Sequence, residues 1–454
     1  MAIQSINPFT QELMKSYDLM SREIVEQKIQ TAHAAFTSRK NTSFSERKKL
    51  MNNLTKIMSE QLPELAKLDT SEMGMLYKDA QGDVSKSMSN IDYFADNAEK
   101  LLADKSFDQD GLKGKIIYQP LGVIFSIMPR NYPFNQVLRS AIPNIMAWNV
   151  VLMKHASNVP QIAEKLEQLF LQAGFPEWVY TNLFLPHDFT EKIIAHPFVI
   201  WANVTGSERV GQELGSLAGK YLKPSILELG GSDPFIILES TDLDAIVKQA
   251  VKGRFSNYGQ KCNSSKRFIV VESMYEEFCN KFTVAVEKLN LGDPMQAETD
   301  IGPLAKESAA IDIDTQVQKS IAMWAVLLTW GKRREDLWKN FYAPTILKDV
   351  LPGMPVFEQE IFWPVAPIIR AKDVDDAIRL ANISNYGLGC SIFGDDKEQK
   401  MKIATQVEVS NAFIDKVVTS YAFLPYGGIK NTGYGKELAE HGLKAFINEK
   451  VIVE

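Results

Sequence analysis

From residue 20 to residue 107, apolar and charged positions alternate at helical spacing. Beyond that, short apolar runs are separated by helical stretches. Ser21 precedes Arg22-Glu23-Ile24-Val25-Glu26 and reads as a helix cap. Ser43, with Glu46 three residues on, has the spacing of a capping box. Residues 111–119, around Lys115-Ile116-Ile117-Tyr118, read as a hairpin arm. Residues 121–128 form an apolar strand that ends in the rigid turn Pro129-Arg130-Asn131-Tyr132-Pro133. Residues 149–154 are a second buried strand, 161–174 a helix and 199–204 another strand. Strands alternating with helices predict a mainly parallel, doubly wound sheet. A second α/β unit runs from Ser232 to about Ala422, with its last strand near residues 411–415. A glycine-rich tail follows, and the closing Lys450-Val451-Ile452-Val453-Glu454 reads as an exposed strand whose bare edge invites pairing.

Two turns stand out for their chemistry. Ser225-Ile226-Leu227 runs into Glu228-Leu229-Gly230-Gly231, an apolar strand that ends in a carboxylate and an open turn. The second turn is Asn257-Tyr258-Gly259-Gln260-Lys261-Cys262. A lone cysteine is more often a small buried hydrophobe, but polar Gln260, Lys261, Asn263, Ser264 and Ser265 surround this one. A carboxylate buried without a counter-charge has a raised pKa and can serve as a base. A thiol and such a base in one cleft suit covalent catalysis with hydrolysis of the adduct. Thr205-Gly206-Ser207 ends a strand, and a helix follows with Gly211 in its first turn. Free N–H groups and the helix dipole there would suit a dinucleotide phosphate. The three-glycine dinucleotide pattern is absent, so an ordinary strand–turn–helix stays open on these grounds.

The remaining composition narrows the class. The chain has 454 residues, too many for one core, so at least two domains are expected. A net charge of −6 argues against nucleic acid or an anionic membrane as the main partner. The three cysteines lack pair spacing, so no disulfide framework or metal site is expected, which suits the reducing cytoplasm. The N-terminus has no basic start or apolar core, so no signal peptide is expected, and no run is long enough to span a membrane.

Glu-Leu-Gly-Gly, followed 34 residues after Glu228 by the cysteine of Gly-Gln-x-Cys, resembles the aldehyde dehydrogenase superfamily, and the resemblance covers almost the whole chain. It is nearest to the short bacterial succinate-semialdehyde dehydrogenases. The resemblance implies two Rossmann-like doubly wound α/β domains plus a β-arm for oligomerisation. Residues 1–110 and 123–229 would form the cofactor-binding domain and 230–422 the catalytic domain. Residues 111–122 and 423–454 would form the arm of a homodimer or homotetramer.

For the site, the resemblance implies Cys262 as nucleophile, Glu228 as general base and Asn131 as the side-chain oxyanion donor. Lys154, Ser157, Gly206, Ser207, Gly211, Leu229, Gly230, Glu360 and Phe362 would contact NADP or NAD. Ser157 stands where NAD-preferring relatives often have Glu, which leaves room for a 2′-phosphate. Arg139 matches an arginine that binds the substrate carboxylate, although in its absence a salt bridge is the ordinary reading. A second arginine of some relatives is Ser256 here. The expected reaction is oxidation of a small aldehyde, succinic semialdehyde above others, through a thiohemiacetal and a thioester. CoA-acylating oxidation is the second reading and a non-catalytic binding protein the third; Glu228 and Cys262 weigh against both.

The resemblance also exposes an anomaly. All seven tryptophans (Trp148, Trp178, Trp201, Trp324, Trp330, Trp338 and Trp363) fall where relatives usually have glycine, and Arg130 falls where they usually have Trp. The expectation is a source in which UGA encodes glycine, and in which some Arg codons, that of Arg130 among them, encode Trp.

Overall fold

The computed structural model describes residues 2–454. The helical region forms as the polar pattern dictates. Ser21 caps Arg22–Arg39 by accepting from the Ile24 N–H. Ser43 and Glu46 close a full capping box on Phe44–Glu60, each side chain holding the other's backbone N–H. Two further helices, Leu62–Met73 and Tyr77–Leu101, follow. One departure lies ahead of them: Ala2–Ile6 and Leu13–Asp18 pair as an antiparallel hairpin that the periodicity does not signal.

Among the described residues, one sheet has the strand order Gly433–Tyr434, Ser225–Glu228, Val199–Thr205, Val123–Ile127, Val150–Lys154 and Tyr180–Asn182. Its strands are parallel except the first pair. A second sheet has the order Val326–Thr329, Thr345–Lys348, Val365–Ala371, Ser265–Val271, Asp233–Ile237, Gly389–Phe393 and Asn411–Ile414. It too is parallel apart from its first pair. Each sheet packs its own apolar core, with Phe125, Leu152 and Val204 in one and Phe235, Phe268 and Ile369 in the other. The strand Asp233–Ile237, apolar from Pro234 onward, is buried along its length, as expected of a parallel sheet covered on both faces.

The arm is a three-stranded sheet of Lys105–Gln109, Leu112–Pro120 and Ile447–Val453. It starts earlier than the expected residue 111, because Asp110-Gly111 makes the hairpin turn and gives the preceding residues a partner. The closing strand is not bare on both sides. It pairs antiparallel with the arm strand of its own chain, Ile452 opposite Lys115, and leaves one free edge.

The expected assignment of residues 423–454 to the arm alone needs correction. Ile429–Lys430 pairs with Tyr386–Gly387, while Gly433–Tyr434 adds to the Ser225–Glu228 strand of the first sheet. The tail therefore clasps both halves before it reaches the arm. Two-residue strands carry no periodicity, so the pattern could not show them. Among the described residues, no helix is long and apolar enough to cross a membrane.

Candidate active site

In open parallel sheets, ligands bind beyond the carboxyl ends of the strands. Register places several of the singled-out residues at that edge. Ile127 lies opposite Lys154 and Val204, and Thr205 lies opposite Glu228. Asn131, Gly206 and the Leu229–Gly231 turn follow directly. The second sheet presents its opposite end: Asp233 pairs with Ser265, and Cys262 lies three residues before that strand starts.

The two turns meet. A Cβ on Gly231 would stand 2.6 Å from the Cys262 carbonyl oxygen, so only glycine allows the approach. The Gly231 N–H donates to Glu360 (3.1 Å). Lys266 Nζ donates both to the Cys262 carbonyl (2.6 Å) and to Glu360 (2.8 Å). Asn131 Nδ2 donates to the Gln260 carbonyl (2.9 Å), and Asn257 Nδ2 returns a bond to the Asn131 carbonyl (2.8 Å). Asn257 and Tyr258 adopt left-handed backbone conformations, which fold the loop back on itself. Cys262 and Asn131 line one cavity of about 310 Å³, with Arg139, Lys86, Tyr426 and Lys261 also in its wall.

Glu228 is 3% exposed, and its Oε1 has no hydrogen-bond partner. Burial pushes its carboxyl well above the carboxylate range, and neighbouring Glu437 adds to the shift; Arg139 and Lys436 oppose it. Glu228 does not line the cavity wall, yet its charge reaches the thiol. Burial raises the Cys262 pKa; Lys266 and Arg139 pull it down, while Glu228 and Asp233 push it up.

Arg139 is both in the cavity wall and in an ion pair. Its Nε meets Glu437 Oε2 at 2.6 Å, with both side chains buried, and its guanidinium lies 5.1 Å from the Tyr426 ring centroid. The alternative of a salt bridge is thus realised, internally and not on a helix surface. Its Nη2 has no partner.

The cofactor candidates divide. Gly206 donates its N–H to the Glu228 carbonyl (2.9 Å), which ties the Thr205–Ser207 turn to Glu228. Ser207 stands at the N-cap of Glu208–Lys220 with a free side chain. Gly211 packs directly on the Leu229 side chain, with no room for a Cβ. Leu229 N–H bonds the Thr432 carbonyl (2.8 Å), and a Cβ on Gly230 would stand 2.5 Å from Glu360. Phe362 lies edge-on to Trp363 and 5.6 Å from Lys266 Nζ. Lys154 ends its strand with burial lowering its pKa. Ser157 lies on an exposed turn. Arg130, beside Asn131, has a buried Nε without a partner.

Sequence reasoning missed Glu437, Lys266 and Lys86. Lys266 lies four residues after the cysteine at the start of a strand, and a charge there is a signal. Glu437 sits inside the glycine-rich tail already singled out, but only the clasp places it beside Arg139.

The raised thiol has a measurable consequence. Iodoacetamide alkylation of Cys262, followed by peptide mass spectrometry, is expected to keep accelerating as pH rises past its ordinary pKa of 9.0. Cys279 and Cys390, each buried and pushed up to about 12, stay unlabelled. A rate already level at neutral pH would mean that the thiolate forms without a base.

Comparisons with known proteins agree with this geometry. The model of the Aldehyde dehydrogenase family matches residues 1–452. The succinate-semialdehyde dehydrogenase [NADP(+)] of Mycobacterium leprae (strain TN) is 40% identical over 455 residues, covering 100% of this chain and 99% of that protein. The enzyme of the same name from Deinococcus radiodurans is 40% identical over 448 residues, covering 99% and 94%. Among solved structures, succinic semialdehyde dehydrogenase from Streptococcus pyogenes, in complex with NADP+, superposes with a TM-score of 0.97 at 36% identity and 99% coverage of both chains. The chain belongs to the aldehyde dehydrogenase family.

Proposed function

We propose that the protein oxidises succinic semialdehyde, or a short aldehyde of like charge, to the carboxylic acid with NADP or NAD. The observation that carries this reading is the meeting of the Cys262 and Glu228–Gly231 turns, with the thiol at a cavity and a desolvated carboxyl within electrostatic reach. Relatives 40% identical over the full length are named for this reaction.

Cys262 attacks the aldehyde carbon, and its proton leaves to solvent or to Glu228. The developing oxyanion takes the backbone N–H of Cys262 and the second amide hydrogen of Asn131, whose first is held by Gln260. The hydride that leaves the thiohemiacetal carbon, turning the adduct into a thioester, would pass to a nicotinamide when one is bound. Glu360 is fixed by Lys266 and the Gly231 N–H and would hold the adjoining ribose, with Phe362 beside the ring. The Cys262 thioester then yields to water. Glu228, buried and raised in pKa, removes the water proton near neutral pH, where an ordinary carboxylate would be too weak a base. Arg139 would offer its unpartnered Nη2 to the substrate carboxylate.

The adenosine end fits NADP. Lys154 closes its strand without an acidic partner among the described residues, and Ser157 stands where a carboxylate would repel a 2′-phosphate. CoA-acylating chemistry has no need of a buried base at Glu228. The free edge of Ile447–Val453, with Val451 and Val453 exposed, supports assembly into a homodimer or homotetramer. Three free cysteines suit a cytoplasmic protein.

Absorbance at 340 nm is expected to rise with succinic semialdehyde and NADP without CoA; no rise with any small aldehyde rejects the reading. Glu228→Gln is expected to cut steady-state turnover by roughly 10²–10⁴-fold while a first burst of reduced cofactor survives. Loss of the burst would give Glu228 a different role. Ser157→Glu is expected to raise KM for NADP by about tenfold or more and to spare KM for NAD.

A further inference from the structure

The geometry points to Lys86 as a second cation that, with Arg139, clamps the substrate carboxylate; this rests on the reading of the substrate as a carboxylated aldehyde. Four cationic side chains line the cavity that holds Cys262: Lys78, Lys86, Arg139 and Lys261. Lys78 pairs with Asp300 at 3.7 Å, Arg139 with Glu437 at 2.6 Å, and Lys261 lies in the field of Asp79.

Lys86 has no carboxylate within ion-pair distance among the described residues. Its Nζ donates to the Ser420 carbonyl and stands 5.3 Å from the Tyr421 ring centroid, so it is held in place but not neutralised. An ammonium has three donors, and this contact uses one. Lys86 and Arg139 also repel: burial lowers the Lys86 pKa first, and the Arg139 charge lowers it further. Two cations turned toward one cavity, one without a counter-ion, leave a place for an anion. Ser256, which stands where some relatives have a second arginine, adds no donor to the clamp, because its hydroxyl is spent on the Lys252 carbonyl.

The test is the ratio of kcat/KM for succinic semialdehyde to that for butanal. Lys86→Met is expected to lower this ratio roughly 10- to 100-fold, the worth of one charge-assisted hydrogen bond, through KM, with Lys86→Arg restoring most of it. An unchanged ratio in a folded Lys86→Met enzyme overturns the role of Lys86. Wild-type protein that oxidises butanal but shows no preference for the semialdehyde overturns the substrate reading instead.

A separate observation carries a second inference. Trp148, Trp178, Trp324 and Trp330 have φ of 69°, 75°, 79° and 54°, in the left-handed region where a bulky side chain is strained. The chain contains its own comparison. The helix Pro160–Gln172 ends in Gly174 at φ 90°, with bonds from Gly174 to the Leu171 carbonyl and from Phe175 to that of Phe170. The helices Asn135–Met146 and Glu307–Ala322 end in the same bond pattern, with Trp148 and Trp324 in the glycine position. Trp178 is the third residue of a turn closed by Val179 N–H to the Pro176 carbonyl, again a glycine position. Trp330 precedes Gly331, also left-handed. Leu222 ends Glu208–Lys220 in the same way, so side chains are not forbidden there; a preference of Trp for such sites has no physical cause. Trp324 is 88% exposed, and among the described residues Trp148 alone of the four donates its indole N–H to the protein, to the Thr42 carbonyl.

We infer that one codon is written here as tryptophan and translated as glycine in the source. The inference then extends to Trp201, Trp338 and Trp363. Peptide mass spectrometry of the protein from its native source is expected to read glycine at these positions; tryptophan there overturns the inference. In recombinant protein, replacing the four left-handed tryptophans with glycine is expected to raise Tm by several degrees, and a fall in Tm counts against it.

Discussion

The closeness of two backbones governs the site. Gly231 rests on the Cys262 carbonyl without space for a methyl group, and Gly230 has the same relation to Glu360. These contacts dock the amino end of one sheet against the carboxyl end of the other. Lys266 completes the joint: it is fully buried, and one ammonium bridges the cysteine carbonyl and Glu360. A buried cation without such partners would cost several kcal/mol. The joint therefore holds the Cys262 loop and the Glu360 carboxylate at a fixed spacing.

Around this joint the charges are balanced in a particular order. Glu228 is desolvated and lies near Glu437, which raises its proton affinity. Arg139 pairs with Glu437 and so moderates the field at both Glu228 and Cys262. A buried ion pair broken on one side costs about 3–5 kcal/mol, so Glu437 supports the fold as well as raising the proton affinity of Glu228. Burial holds the Cys262 thiol above its ordinary value, and Lys266 and Arg139 pull against that shift.

Much of this was legible in the sequence, for identifiable reasons. Ser21 and Ser43 declared their helices because a cap needs one residue type at one spacing. The parallel strands 121–128, 149–154 and 199–204 declared themselves because they are buried on both faces and read as apolar runs. Glu228 was visible as a carboxylate ending an apolar run at a glycine turn, and Cys262 as a thiol among polar neighbours on a second such turn. What stayed hidden depends on tertiary closure. The two-residue strands of the tail have no period, and the partner of Arg139 lies 298 residues away in Glu437. Lys86 looks like any helix-surface lysine until Ser420 is seen against it.

The clasp made by residues 429–437 also sets an order of events during synthesis. Thr432 holds Leu229, the Gly433–Tyr434 strand covers the edge beside Glu228, and Glu437 neutralises Arg139. Because residues 429–437 are made after the rest of the centre, the first sheet stays without its edge strand, and Arg139 without its carboxylate partner, until they arrive.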